Sequence, residues 1–319
     1  MTLVLHNEVL EAAVLPDKGA DISSLVHLPT GIDVLFKTPW RARAASASAS
    51  STHARWLEAY PGGWQLLLPN GGDECQQYGA VWGFHGEAAL VAWDVTEATE
   101  ARARLETMLF TAPLSVVREI SLEGPVLSVH ETVTNLSGRE VEVMWSHHPA
   151  FGPPFLEAGC SLSAGCSEIV ADDRDPGTLL RAGAHSPWPF AETRSGRTDL
   201  RLVPGPDEPR ALLAYLTGFS SGWFHITNPR LGLGVGFRWP AKVFPCAWLW
   251  QEVHATNDWP WFGRAYVVAV EPASTFPGQG MALARVKGGR GVVLAGGSSL
   301  EVVVEAVLFE GSPPEGFGA

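Results

Sequence analysis

Apolar and polar residues alternate with a period of two through most of the chain. LSVHETVTN (127–135), VEVMWS (141–146) and LEVVVEAVLF (300–309) each set apolar side chains on one face and polar ones on the other, the signature of half-buried strands. SVVREISL, ALLAYLTG, GWFHITN, LGVGFRW and AYVVAVEP are β-branched or aromatic runs closed by Gly, Pro or Asn, and they predict further short strands. No stretch of 12 or more residues carries a convincing helical period. Many short strands separated by turns predict an all-β protein of antiparallel sheets, a sandwich or a barrel.

Two segments interrupt the alternation. RARAASASASSTHAR (41–55) is small, polar and repetitive, which predicts a mobile loop with Arg41, Arg43 and Arg55 in solvent. Residues 172–196 are also loop-rich and suit the rim of a cleft, their aspartates serving as turn residues. The remaining length is enough for a large core, and residues 1–319 are expected to form one domain.

Charge narrows the range of partners. With 22 Lys and Arg against 34 Asp and Glu, the net charge is −12 and no basic run is present, so neither nucleic acid nor an anionic membrane is an expected partner. The opening MTLVLHNEVLEAAVLP has no basic leader and carries Glu8 and Glu11, and no apolar run approaches the roughly 18 residues of a membrane span. A cytoplasmic protein is the expectation. Cys75, Cys160, Cys166 and Cys246 form no CxxC pair and are expected to be free thiols rather than a scaffold. The 13 Trp and 14 Phe beside 4 Tyr fill a large core or offer flat faces to a sugar.

Three segments concentrate chemistry. His85 lies between Gly83-Phe84 and Gly86-Glu87, where a tight backbone can turn an imidazole into a cleft. His147 and His148 end a strand in MWSHHPAF; neighbours on a strand point to opposite faces, so only one of them can serve a given cleft. Nothing near them has metal-ligand spacing, and no metal site is expected. Glu271 closes the apolar strand AYVVAVEP, where a carboxylate either reaches solvent at an edge or is held for use.

HGE (85–87) ahead of Trp93, then HPAF (148–151), then VAVEP (268–272) occur in the order found in the galactose mutarotase-like family. From about residue 8 to residue 310 the chain resembles the aldose 1-epimerases. That resemblance implies a β-supersandwich with a concave sugar-binding face, a small-molecule sugar as ligand, no cofactor, and a monomer or homodimer. It implies Glu271 as the base and His148 as the acid, with His147 the near alternative, and His85 as a second histidine on the sugar. Asn70, in a PNGG turn, matches a segment that contributes sugar contacts; Arg264, Trp250 and Gln251 are further candidates, with His254 and Asp258 in the same stretch. A carboxylate and an imidazole suffice for mutarotation, one taking the proton from O1 while the other gives one to O5. Gly71 follows Asn70 where typical galactose mutarotases carry an arginine, so glucose or galactose as the specific sugar does not carry over. Two alternatives stay open: a hexose-6-phosphate 1-epimerase, which would need Arg41, Arg43, Arg55 and Arg264 to converge, and a noncatalytic carbohydrate-binding protein on the same fold.

Overall fold

The computed structural model describes residues 1–43 and 50–317. Among them the strands gather into two large sheets whose strand pairs are antiparallel. The larger runs, from edge to edge, through Leu3–His6, Leu10–Leu15, Asp21–His27, Trp64–Leu67, Ser146–Phe151, Tyr266–Ala273, Cys246–Val253, Arg210–Thr217, Glu168–Ala171 and His185–Pro187. The smaller has Leu114–Glu123, Val126–Asn135, Ser299–Glu310 and Leu233–Trp239 at its centre. The expectation of an all-β chain with antiparallel sheets is met.

Burial follows the sequence pattern strand by strand. Leu114–Glu123 and Val126–Asn135 alternate strictly between buried and partly exposed positions. Ile120, Val129 and Val133 look inward, and the other face of this sheet meets water. By contrast every residue of Ser146–Phe151 and Tyr266–Ala273 is buried. These central strands of the larger sheet have two covered faces, which is why AYVVAVEP reads as an almost continuous apolar run. One face packs into the core between the sheets. The other supports a second apolar cluster, including Phe36, Trp56, Leu57, Tyr60 and Trp261.

A helix, Thr52–Ala59, supplies part of that cover. Of the loop expected over 41–55, residues 44–49 lie outside the described residues, while 52–55 form the first turn of this helix, which corrects the expectation there. The Ser51 side chain accepts from the Ala54 N–H and caps it. Trp56, Leu57 and Tyr60, at helical spacing, anchor it to the sheet. The small residues before them hid this spacing. Arg55 stays on the exposed face, as expected.

Between the sheets lies a buried polar cluster. Arg118 and Glu131, both fully buried, meet at 3.1 Å. Glu131 also accepts from the Trp145 indole at 3.1 Å and lies 3.5 Å from His147 Nε2, and Arg118 donates to the Ala20 carbonyl at 2.8 Å. A buried charge with this many partners costs less than an isolated one. All four cysteines are free thiols.

Candidate functional site

Strand register builds the floor of the site. Ser146 pairs with Ala273 and Ala150 with Ala269, so His148, midway between, stands opposite Glu271. The next strand sets Trp248 against Glu271. Side chains opposed across antiparallel strands share a face, and His148, Glu271 and Trp248 therefore form a row. They line a cavity of about 760 Å³, within the usual size range of small-molecule sites.

His148 Nε2 and Glu271 Oε1 are 3.6 Å apart, and both side chains are almost fully buried. His148 Nδ1 and Glu271 Oε2 have no hydrogen-bond partner. Burial penalises whichever form is charged. It pushes the Glu271 carboxyl well above the usual carboxylate range and brings the His148 imidazole down to about 4. Near neutral pH the two thus hold one proton between them, a property of the pair rather than of either residue.

His85 enters from the side on a turn with φ of 57°. Gly86 follows at φ of 73°, and a Cβ there would sit 2.3 Å from the Leu68 carbonyl oxygen, so only glycine fits. The Gly72 N–H donates to His85 Nδ1 at 3.0 Å. Burial, with His148 beside it, depresses the His85 pKa and keeps the ring neutral. Its proton is then on Nε2, which makes that atom a donor.

Aromatic rings make the walls. Trp56 lies 4.7 Å from His85 and stacks on Tyr60 at 4.6 Å. Trp250 lies 6.0 Å from His148 and 5.3 Å from Trp261. The mouth is more polar. Arg174 pairs with Asp73 at 3.0 Å across it, and Asp172 accepts from the Arg174 and Asp175 backbone N–H groups. Of the 172–196 segment expected at the rim, residues 172–178 take that place, with Asp172 as turn former, while His185–Pro187 and Phe190–Glu192 are strands rather than loop.

Of the residues singled out in the sequence, His148, Glu271, His85, Trp250 and Gln251 line the cavity. The others do not. The His147 ring turns the opposite way from His148, into the core, where Nδ1 accepts from the Trp64 indole at 3.1 Å and Nε2 faces Glu131; alternation along the strand is the reason. Asn70 is fully buried but spent on scaffolding: its amide donates to the Asp73 and Gly83 carbonyls and its oxygen accepts from the Met281 N–H. Arg264 is exposed and donates to the Pro39 carbonyl at 3.2 Å. His254 binds the Gly263 carbonyl, and neither it nor Asp258 reaches the cavity. Arg43 faces Glu58, and none of Arg41, Arg43, Arg55 and Arg264 lines the cavity among the described residues.

Sequence reading missed Tyr60, Trp56 and Trp248. Trp248 could have been found by period two from Trp250. The two helix residues needed the Ser51 cap and the 56, 57, 60 spacing to be weighed above composition.

Comparisons with known proteins point the same way. A family model described as a domain of unknown function, DUF4432, matches residues 2–306. No curated protein matches by sequence. Among solved structures, a galactose mutarotase-like protein from Lactobacillus casei is 17% identical with a TM-score of 0.68, covering 97% of this chain and 100% of that one. A galactose mutarotase related enzyme from Lactobacillus acidophilus is 16% identical with a TM-score of 0.66, over 97% and 98%. A GalM/aldose epimerase homologue from C. elegans is 13% identical with a TM-score of 0.66, over 98% and 99%. The fold is galactose mutarotase-like, as the motif order implied, and at this identity the likeness is one of fold.

Proposed function

The chain belongs to the DUF4432 family, and we propose that it interconverts the α and β anomers of an uncharged reducing sugar, with Glu271 and His148 as the reacting pair. The observation that carries this is the buried 3.6 Å approach of His148 Nε2 to Glu271 Oε1, with no competing partner, on the cavity floor. O1 and O5 of a cyclic sugar are both bonded to C1, so two side-chain atoms this close together can serve both.

In the ring-opening step Glu271 takes the O1 proton as the C1–O5 bond breaks, and His148 gives its proton to O5. The products are an open-chain aldehyde, a neutral carboxyl and a neutral imidazole. Rotation about C1–C2 turns the other carbonyl face to O5. Closure then runs the proton transfers in reverse and restores the starting pair. Burial favours the neutral pair, the form present while the sugar is open; the ionised form that begins the step is reached when the shared proton passes from Glu271 to His148 across their 3.6 Å approach. His85 offers a fixed donor to a sugar oxygen, and Trp250 and Trp56 offer flat apolar faces to the ring.

The uncharged substrate follows from the cations in reach. Arg174 at the mouth is held by Asp73, and Lys18, behind Trp56, is held by Asp21 at 2.5 Å. A phosphate needs bidentate arginine that is not already committed.

The test is the relaxation of optical rotation in fresh α-D-glucose and α-D-galactose, with wild type and Glu271→Gln at equal concentration. Wild type accelerates relaxation, and the variant loses about 10²- to 10⁴-fold. A wild type inert on a panel of uncharged aldoses refutes the proposal. Sugar binding by that inert protein would make it a noncatalytic binder.

A further inference from the structure

Tyr60 is the feature of the cavity that the reaction above leaves without a task. It is 1% exposed and belongs to the cavity wall, and its hydroxyl, closed to solvent in the empty protein, has no hydrogen-bond partner. Leaving a buried hydroxyl unpaired is unfavourable, and phenylalanine would fill the same space without that cost. The ring is held firmly. It closes the helix Thr52–Ala59, stacks on Trp56 at 4.6 Å, and meets the His148 ring edge-on at 5.5 Å. An immobilised, unpaired donor beside the His148–Glu271 pair is prepared for an oxygen that arrives with the ligand.

We propose that the Tyr60 hydroxyl is a further catalytic residue, donating a hydrogen bond to the sugar oxygen that exchanges protons with the His148–Glu271 pair. This rests on the mutarotase reading of the same cavity. No proton leaves Tyr60. As the C1–O5 bond stretches, electron density collects on the ring oxygen, and a fixed O–H pointing at it strengthens its bond there more than in the ground state. Burial, reinforced by Glu271 and Asp21 nearby, disfavours a phenolate, so the group remains a donor across the working range. Helix cover and chemistry are thereby linked: the i and i+4 positions Trp56 and Tyr60 deliver, from one helix face, a flat wall and a donor.

The experiment is Tyr60→Phe, measured by optical-rotation relaxation, by calorimetric binding of the same panel of aldoses, and by thermal melting without sugar. The hydroxyl has no partner in the empty protein, so melting is expected at or above the wild-type temperature. With a sugar that wild type turns over, kcat/KM is expected to fall by about 10- to 100-fold, the loss of one hydrogen bond to a developing charge, with most of the loss in kcat. Equal kcat/KM in variant and wild type overturns the role of Tyr60 and leaves the mutarotase reading standing. A lowered melting temperature also overturns it, since the hydroxyl would then have an internal partner. If wild type only binds sugars, unchanged affinity in Tyr60→Phe overturns the contact, and a tenfold loss supports it. A wild type that neither turns over nor binds any sugar overturns both.

Discussion

His148→Gln separates two duties of one side chain, and the acid sensitivity of the fold measures the second. The folded His148 pKa is about 4 against an ordinary 6.5, because burial opposes the charged ring. A depressed histidine contributes stability that is fully present above pH 6.5 and is lost as pH falls through about 4. At roughly 1.36 kcal/mol per pH unit, the whole gap is worth about 3 kcal/mol, of which about 2 kcal/mol is already gone at pH 5. Unfolding entropy near 2.1 cal/mol/K per residue, over 319 residues, converts this to about 3 °C of melting temperature. Melting would be followed by calorimetry at pH 8 and pH 5. His85 and His147, also held neutral by burial, lower the acid stability of both proteins alike. The drop from pH 8 to pH 5 should therefore be about 3 °C smaller in His148→Gln than in wild type. Parallel curves would refute the buried neutral imidazole, and with it the shared proton from which the mechanism starts. In the same samples anomer exchange should fall by about 10²- to 10⁴-fold.

Three further outcomes follow from the geometry. His147→Ala opens a cavity in the core and leaves the Trp64 indole without its acceptor, and should cost about 2–5 kcal/mol in urea unfolding, while turnover per folded molecule falls far less than in His148→Gln. Gly86→Ala forces a Cβ to 2.3 Å from the Leu68 carbonyl at φ of 73°; stability should drop by about 1–3 kcal/mol, and kcat/KM should fall as His85 moves. Arg264→Ala, which removes an exposed contact to the Pro39 carbonyl, should leave both kcat/KM and melting within about twofold and 1 °C of wild type.

Period two made the strands of the smaller sheet legible, because one face of that sheet meets water. The apolar run before Glu271 marked a strand covered on both faces, and Glu271 proved to be held inside rather than released at an edge. The choice between His147 and His148 was not legible from alternation alone. It needed the pairing that sets His148 against Glu271, more than a hundred residues later in the chain. Asn70 misled for the same reason: its role is set by Gly83 and Met281, partners that a PNGG turn does not announce. The helix was masked by composition, since alanine and serine predict a loop until the buried face of Trp56, Leu57 and Tyr60 is seen.

The adjacent histidines make the strand Ser146–Phe151 intolerant of frame errors. A slip of one residue would exchange them, aiming His148 at Glu131 and His147 at Glu271. The two rings are chemically identical, so the slipped protein would still pair a histidine with each glutamate, and composition would not reveal the fault. What separates the two frames is the Trp64 indole, which reaches His147 only in the native one, and the small Ala150 set beside Ala269. The connection between Asn135 and Ser146 should therefore accept changes of length only where the strand keeps its place. A single inserted residue that propagated into the strand would be read out as lost turnover in a protein that still folds.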